Sequence, residues 1–298
     1  RLCLRQADLV LVAIRFDSAG RGDVPLTEVE KYTERVARGG LNVDRELLLL
    51  HCSEEPDTVE LSCPSLLEVA SSNDLRRPGL RGFVVDQLRA GLFGRGKGRL
   101  RSTRHYLSQR PWARRWHHIR CDMEADWSRC ARLLVGQGIG LCLGGGGARG
   151  NVHFGVIRAM EDVGIPIDVI SGTSFGALAA GIYSMTAPDP GKMMHVVSRT
   201  MRSSFSPRRL LMDMNLPRTA YFTGAFLNHV LQLLFRRRRL EDMLVPIVCT
   251  STDILNFQTK VHREGPLWRV VRASMSLVGF VPPLPHQEFN ARDGTVSS

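Results

Sequence analysis

Two successive strand–loop–helix units with glycine-rich loops constrain the fold of this 298-residue chain most strongly. In the first unit, an apolar segment at 139–143 runs into the loop 144–150, and the helix-like segment 152–163 follows. In the second, the short apolar strand at 168–170 leads to the turn 172–176 and then to small, apolar residues at 177–185. Strands and helices that alternate in this way are typical of a parallel sheet. We therefore predict an α/β fold in which both glycine loops lie on one sheet, a single crossover apart.

The second loop has the sequence GTSFG at 172–176 and matches the pattern G-x-S-x-G. A sharp turn between a strand and a helix exposes a serine Oγ at the top of a sheet, and the flanking glycines make room for it. We predict that Ser174 is a nucleophile and that Gly172 and Gly176 form its elbow.

The first loop has the sequence GGGGARG at 144–150. Its backbone N–H groups are suited to hold an anion, and here they would be donors to a tetrahedral oxyanion. Arg149 either orients this loop or meets a substrate phosphate; the alternative is a helix-capping or surface role. The pattern G-x-G-x-x-G at 145–150 also occurs in dinucleotide-binding folds, but such a site needs an acidic residue at the end of the next strand. That strand instead begins with its acid, Asp168, and ends in the serine motif.

A serine nucleophile needs a base. None of the nine histidines lies in a triad-like motif, and His153, on the helix after the glycine loop, is most simply packed or hydrogen-bonded. The alternative is an aspartate that acts directly on the serine. The candidates are Asp253, in the strand-like stretch 245–253, and Asp293, which precedes Gly294.

The net charge of +11 favours an anionic partner such as a phospholipid surface, a nucleic acid or an acidic protein. The segment 76–120 is rich in Arg, Gly and Lys, with tryptophans interleaved near its end, and is interpreted as a connector or an anionic-surface patch. No nucleic-acid-binding motif accompanies it, so no nucleic acid partner is expected. The seven cysteines include no CxxC pair, which argues against a disulfide scaffold or a zinc module and favours a reducing compartment. No run of about 18 apolar residues predicts a membrane span.

We predict three regions along the chain. Residues 1–75 form a small α/β segment, with strands at 7–16 and 46–52 and a helix at 26–38. Residues 76–135 form a basic linker and a helix, which covers 122–135. Residues 138–298 form the domain that carries the serine motif. An arginine run at 236–239 follows an apolar stretch, either at a helix C-terminus or as a contact for membrane phosphate.

The chain resembles the patatin-like phospholipases and, within them, the neuropathy target esterase subgroup of lysophospholipases. The residues that carry the resemblance are GGGGARG (144–150), GTSFG (172–176), STDI (251–254), LWRVVRASMS (267–276) and VPPL (281–284). It is strong over 130–298 and fainter over 5–52. The resemblance implies a three-layer α/β/α sandwich with a mostly parallel sheet, a Ser–Asp dyad, no cofactor and no metal. It further implies that the glycine motif supplies the oxyanion hole, through residues Gly145, Gly146 and Gly147, with Arg149 and Gly150 completing the motif.

The subgroup also implies a substrate and a location. The substrate is a lysophospholipid such as lysophosphatidylcholine at a membrane surface, and the location is the cytoplasmic face of the endoplasmic reticulum. Neither the sequence nor the resemblance indicates an oligomeric state. The chain departs from the family at its last candidate base, because Asp293 is followed by Gly-Thr where the family has D-G-G or D-G-A.

Two interpretations of Asp293 stay open. In one it is the base; in the other it matches an earlier, non-catalytic Asp-Gly of the subgroup, and the base is not in this chain. The resemblance also implies strands after the dyad aspartate, and we therefore expect that the patatin-like domain at 138–298 is truncated at its C-terminus. The rival hypothesis is a truncated or divergent non-catalytic homologue that serves as a lipid- or partner-binding module.

Overall fold

A computed structural model describes residues 9–16, 26, 30–31, 34–35, 44–51, 103–187, 190–204, 211, 213–215, 220–284, 288–289 and 296–297. Its strands are β1 (Leu9–Arg15), β2 (Asp44–His51), β3 (Trp116–Arg120), β4 (Gly140–Leu143), β5 (Val169–Thr173), β6 (Ile247–Asp253), β7 (Gln258–His262), β8 (Glu288–Phe289) and β9 (Val296–Ser297). Its α-helices are α1 (Thr103–Ser108), α2 (Glu124–Leu134), α3 (Val152–Asp162), α4 (Phe175–Thr186), α5 (Pro190–Ser204), α6 (Ala225–Phe235) and α7 (Leu267–Ser274).

The first sheet is parallel, with the order β1-β2-β3. Apolar side chains cover both of its faces. On one face, Leu47 and Leu49 of β2 pack with Tyr106 of α1. On the other, Leu48 packs with Cys130 of α2. The predicted strands near 7–16 and 46–52 and the helix near 122–135 are confirmed, whereas the predicted helix at 26–38 lies largely outside the described residues.

Strand β3 was not predicted, because residues 116–120 fall inside the segment interpreted as linker and helix. Its sequence WHHIR contains two histidines, which suggest a polar surface, yet both side chains are buried. The His117 ring bonds Glu46 Oε2 at 2.7 Å, and the His118 ring bonds the Glu241 carbonyl at 2.9 Å. These partners compensate for the loss of hydration, so a histidine-rich segment can form the third strand of the sheet.

The second sheet has the order β4-β5-β6-β7, in which only β7 is antiparallel. The α/β class and the mostly parallel sheet predicted from the sequence are confirmed, and so are both strand–loop–helix units. Helix α4 packs against β4, β5 and β6 and is buried over almost its whole length, as its small and apolar residues predict. The opposite face of the sheet, which carries Cys142 and Val261, is exposed in this structure.

The two sheets are joined by polar contacts that the sequence did not predict. A short 3-10 helix, Leu240–Asp242, precedes β6. Its Glu241 carbonyl accepts hydrogen bonds from Trp116 Nε1 at 3.1 Å and from the His118 ring, and its Asp242 Oδ1 accepts one from the Thr103 backbone N–H at 3.1 Å. These bonds dock the first sheet onto the second unit.

A second junction connects α2 with the start of β5. The Arg132 guanidinium donates from Nε and Nη2 to the two oxygens of Asp168, at 2.9 and 2.7 Å. The same carboxylate accepts a bond from the Ile139 backbone N–H at 2.9 Å. The acid that opens β5 is therefore a structural anchor between the two units.

The structure also bears on the predictions for the arginine run, the cysteines and a membrane span. The arginine run at 236–239 directly follows α6, as predicted. Cys121 is disulfide-bonded, which differs from the expectation of a reduced chain, while Cys130, Cys142 and Cys249 are free thiols. Scattered spacing along a sequence does not determine which cysteines meet in the fold. Among the described residues, no helix is both long and apolar enough to cross a membrane.

Candidate active site

Ser174 occupies a strained turn between β5 and α4. Its backbone has φ 54° and ψ −120°, a region that residues with a side chain rarely adopt. The turn is closed by the first bonds of the helix, since the Ser174 carbonyl accepts from the N–H groups of Ala177 at 3.0 Å and Leu178 at 3.2 Å. Such strain persists only where the surrounding structure enforces it.

The glycines on either side of the serine allow this turn. A Cβ on Gly172 would lie 2.3 Å from the carbonyl carbon and oxygen of Gly176. A Cβ on Gly176 would lie 2.2 Å from the carbonyl oxygen of Leu143, in the neighbouring strand β4. Each position therefore excludes a side chain because backbone approaches it directly.

The glycine-rich loop lies against the serine. A Cβ on Gly145 would be 3.3 Å from Ser174 Cβ. Gly150 is buried beneath the ring of Phe175, the residue after the serine, and Gly147 adopts a φ of 54°. Gly146, between Gly145 and Gly147, has an extended φ of 175°. The structure thus brings together the two motifs that the sequence predicted at one edge of the sheet.

Two polar residues accompany the glycine loop. His153, the second residue of α3, donates from Nε2 to the Gly144 carbonyl at 2.9 Å, which fits the sequence interpretation of a hydrogen-bonded residue. Arg149 is exposed, in the 3-10 helix Gly147–Asn151, and its backbone N–H donates to the Gly146 carbonyl at 3.2 Å. Its proposed contact with a substrate phosphate stays a prediction.

The structure describes one of the two candidate aspartates, Asp253, and does not describe the other, Asp293. Asp253 is half-buried and accepts bonds from the residues that follow it, from the Leu255 N–H at 3.0 Å and from Asn256 Nδ2 at 3.0 Å. The Asn256 side chain contributes most to lowering the pKa of this carboxyl. Thr173, the residue before Ser174, pairs with Thr250 of β6. Asp253 lies three residues beyond Thr250, which is about 10 Å along a strand. As the last residue of β6, it therefore lies at a distance from Ser174. Asp293 lies outside the described residues, and its role as base stays a prediction.

Sequence reasoning missed two hydroxyl contacts at the site. The Ser174 backbone N–H donates to Ser274 Oγ, at the end of α7, at 2.7 Å. The Oγ1 atoms of Thr173 and Thr250 are hydrogen-bonded to each other at 2.6 Å, which ties the end of β5 to β6. The stretch RASMS at 272–276 contributed to the family resemblance, but no pattern in it assigned Ser274 to the serine turn.

The serine turn, the adjoining glycine loop and the mostly parallel sheet are the features of a serine hydrolase with a fold of the α/β class. The chain belongs to the patatin-like phospholipase family, because the family model with that description matches residues 141–297. This confirms the family predicted from the glycine loop and the GTSFG motif.

The curated relatives are consistent with this assignment. A patatin-like phospholipase domain-containing protein of Caenorhabditis elegans is 46% identical over 168 residues, which cover 55% of this chain and 12% of the relative. Patatin-like phospholipase domain-containing protein 6 of Mus musculus is 33% identical over 293 residues, 95% of this chain and 19% of the relative. Neuropathy target esterase sws of Drosophila persimilis is 30% identical over 313 aligned residues, 95% of this chain and 18% of the relative. The chain thus spans less than a fifth of the length of each of these proteins.

Proposed function

We propose that this protein is a serine esterase that hydrolyses the acyl ester of a lysophospholipid such as lysophosphatidylcholine. The observation that carries the proposal is the contact between the two glycine motifs, in which Gly145 lies directly against the strained serine. Membership of the patatin-like phospholipase family supports a lipid ester as the substrate.

In the proposed reaction, Ser174 Oγ attacks the carbonyl carbon of the acyl ester, and an aspartate carboxylate takes its proton. Asp293 is the candidate for that base in this chain. The backbone N–H groups of Gly145, Gly146 and Gly147 donate to the oxyanion that forms. The C–O bond to the glycerol oxygen then breaks, and this oxygen leaves with the proton from the aspartate. Water attacks the acyl-enzyme in the same way and releases the fatty acid with a free Ser174.

The proposed setting is a phospholipid surface, at the cytoplasmic face of the endoplasmic reticulum. The net charge of +11 supports an anionic surface as partner. In this proposal the exposed Arg149, within the glycine loop, binds the phosphate of a headgroup.

The test is covalent labelling of Ser174 by a fluorophosphonate probe, with circular dichroism to establish that each protein is folded. We expect labelling of the wild type, none of Ser174→Ala, and unchanged labelling of Ser171→Ala. Ser171 is a matched control because it lies in β5, the strand that leads to Ser174, but its hydroxyl bonds Cys142 Sγ. Fatty acid release from lysophosphatidylcholine micelles then identifies the substrate, and Asp293→Asn tests the base.

A folded wild type that the probe does not label would refute the hydrolase proposal. Binding of lysophosphatidylcholine micelles by such a protein would instead support the non-catalytic, lipid-binding alternative. If the wild type is labelled but Asp293→Asn is labelled equally fast, Asp293 is not the base.

A further inference from the structure

We infer that Ser274 is a positioning residue for the nucleophile: its hydroxyl holds the backbone N–H of Ser174 and thereby keeps the serine turn in its reactive conformation. This inference rests on the proposed function of Ser174. Ser274 is the last residue of α7, one hundred positions along the chain from the serine it contacts. The contact therefore belongs to the tertiary fold and not to the local turn.

The strain at Ser174 is the reason that a tether is needed. A non-glycine residue with φ 54° and ψ −120° is strained relative to ordinary backbone. The bonds to the Ser174 carbonyl fix the helix side of the turn, since they come from Ala177 and Leu178 of α4. The bond from its N–H to Ser274 Oγ, at 2.7 Å, fixes the strand side. Both backbone polar groups of the nucleophile are thus held, and its side chain is presented between them.

The end of α7, which carries Ser274, is held by a buried arginine. Arg272, two residues earlier in α7, is 1% exposed. Its Nε donates to Asn228 Oδ1 of α6 at 2.7 Å, and its Nη2 donates to the Pro282 carbonyl at 3.0 Å. Its Nη1 donates to Ser276 Oγ. These bonds fix the end of α7 against α6 and the following loop, so that Ser274 meets the serine turn from a rigid support.

A positioning role makes a different prediction from a merely stabilising one. Without the Ser274 hydroxyl, the N–H of Ser174 loses its acceptor and the turn can relax toward ordinary dihedral angles. The nucleophile is then displaced from the glycine loop while the fold persists. Since small displacements from the productive geometry reduce reaction rates steeply, the rate of acylation should fall more than the stability.

The experiment measures the rate of fluorophosphonate labelling per folded molecule. We expect Ser274→Ala to slow labelling by about tenfold, which corresponds to 1.4 kcal/mol. We expect Ser274→Thr to restore most of the rate, because threonine keeps the hydroxyl. Ser184→Ala is the matched control: Ser184 lies in α4 and is 3% exposed, and its Oγ has no hydrogen-bond partner in the described structure. Its labelling rate should equal that of the wild type.

Hydrogen exchange of the Ser174 amide provides a second measurement that does not depend on activity. In Ser274→Ala this amide should exchange about tenfold faster than in the wild type, while amides in the middle of α4 keep their protection. Equal exchange, or equal labelling of folded Ser274→Ala and Ser184→Ala, overturns the inference. If the wild type is not labelled at all, the proposed function fails, and the exchange rates alone decide whether Ser274 holds the turn.

Discussion

Replacement of Gly176 by alanine should destabilise the protein, whereas the same replacement at Gly155 should stabilise it. Both glycines lie within α-helices, Gly176 in α4 and Gly155 in α3. Helix propensity alone favours alanine at each position by about 1 kcal/mol. The surroundings differ, because a Cβ at Gly155 would meet nothing within 4 Å, while a Cβ at Gly176 would lie 2.2 Å from the Leu143 carbonyl oxygen and 2.7 Å from that of Gly144.

The size of the effect follows from these distances. Overpacking in a core costs up to about 3 kcal/mol, and the upper end applies here because the opposing atoms are backbone atoms of β4 and of its loop. After the gain in helix propensity, Gly176→Ala should lower the free energy of unfolding by about 2 kcal/mol. Gly155→Ala should raise it by about 1 kcal/mol, so that the two variants differ by about 3 kcal/mol.

Urea unfolding followed by far-ultraviolet circular dichroism measures this difference, with both variants and the wild type under identical conditions. Fluorophosphonate labelling of the same samples reports whether the serine turn survives. If both variants are stabilised to the same extent, the close approach of α4 to β4 is wrong, and with it the account of why this loop requires glycine.

Two further predictions concern buried ionisable groups. Burial lowers the pKa of His51 and of His118 from 6.5 to about 4. Between these pH values the unfolded chain therefore binds more protons than the folded protein. As the pH decreases from 6.5 toward 4, the free energy of unfolding should fall by at most about 1.4 kcal/mol per pH unit for each histidine. His118→Asn should reduce this slope in urea titrations, and an unchanged slope would contradict the assignment. Asp168→Asn should cost about 2–3 kcal/mol, because it breaks a bidentate pair between the buried carboxylate of Asp168 and the partly exposed Arg132. The control Asp162→Asn, at a carboxylate that is 61% exposed, should cost less than about 0.5 kcal/mol, and equal losses would refute the anchoring role of Asp168.

The fold was predictable where hydrophobic pattern and glycine position agree. Apolar strands followed by glycine loops predicted both halves of the second sheet, and the carboxyl ends of neighbouring parallel strands brought the loops together, as expected. Strand β3 was not predictable from the same pattern. Its histidines satisfy their ring nitrogens through Glu46 and the Glu241 carbonyl, which lie 71 and 123 positions away. Burial of a polar residue depends on such distant partners, and local sequence does not encode them.

In the candidate site, too, some residues were predictable from the local sequence and others were not. Ser174 and the glycines around it were predictable, because a strained turn and a close backbone approach both require specific residue types at fixed spacing. Ser274 was not, since any serine at the end of an amphipathic helix has the same local pattern and only the packing of α7 on α4 brings it to the turn. Asp253 was a reasonable candidate at the end of an apolar strand, yet β6 extends beyond β5 and carries its last residue into a separate turn.

The contacts between the first sheet and the second unit extend beyond the residues that the family model matches. The family match begins at residue 141, yet several hydrogen-bond donors to the matched region lie before that point. A protein shortened to the matched residues would leave the 1% exposed carboxylate of Asp168 without Arg132 and Ile139, and the Glu241 carbonyl without Trp116 and His118. The family model covers the part that carries the serine and glycine motifs, whereas residues that complete its hydrogen bonds lie further upstream. The stretch that the family model identifies is therefore shorter than the stretch that has to fold together.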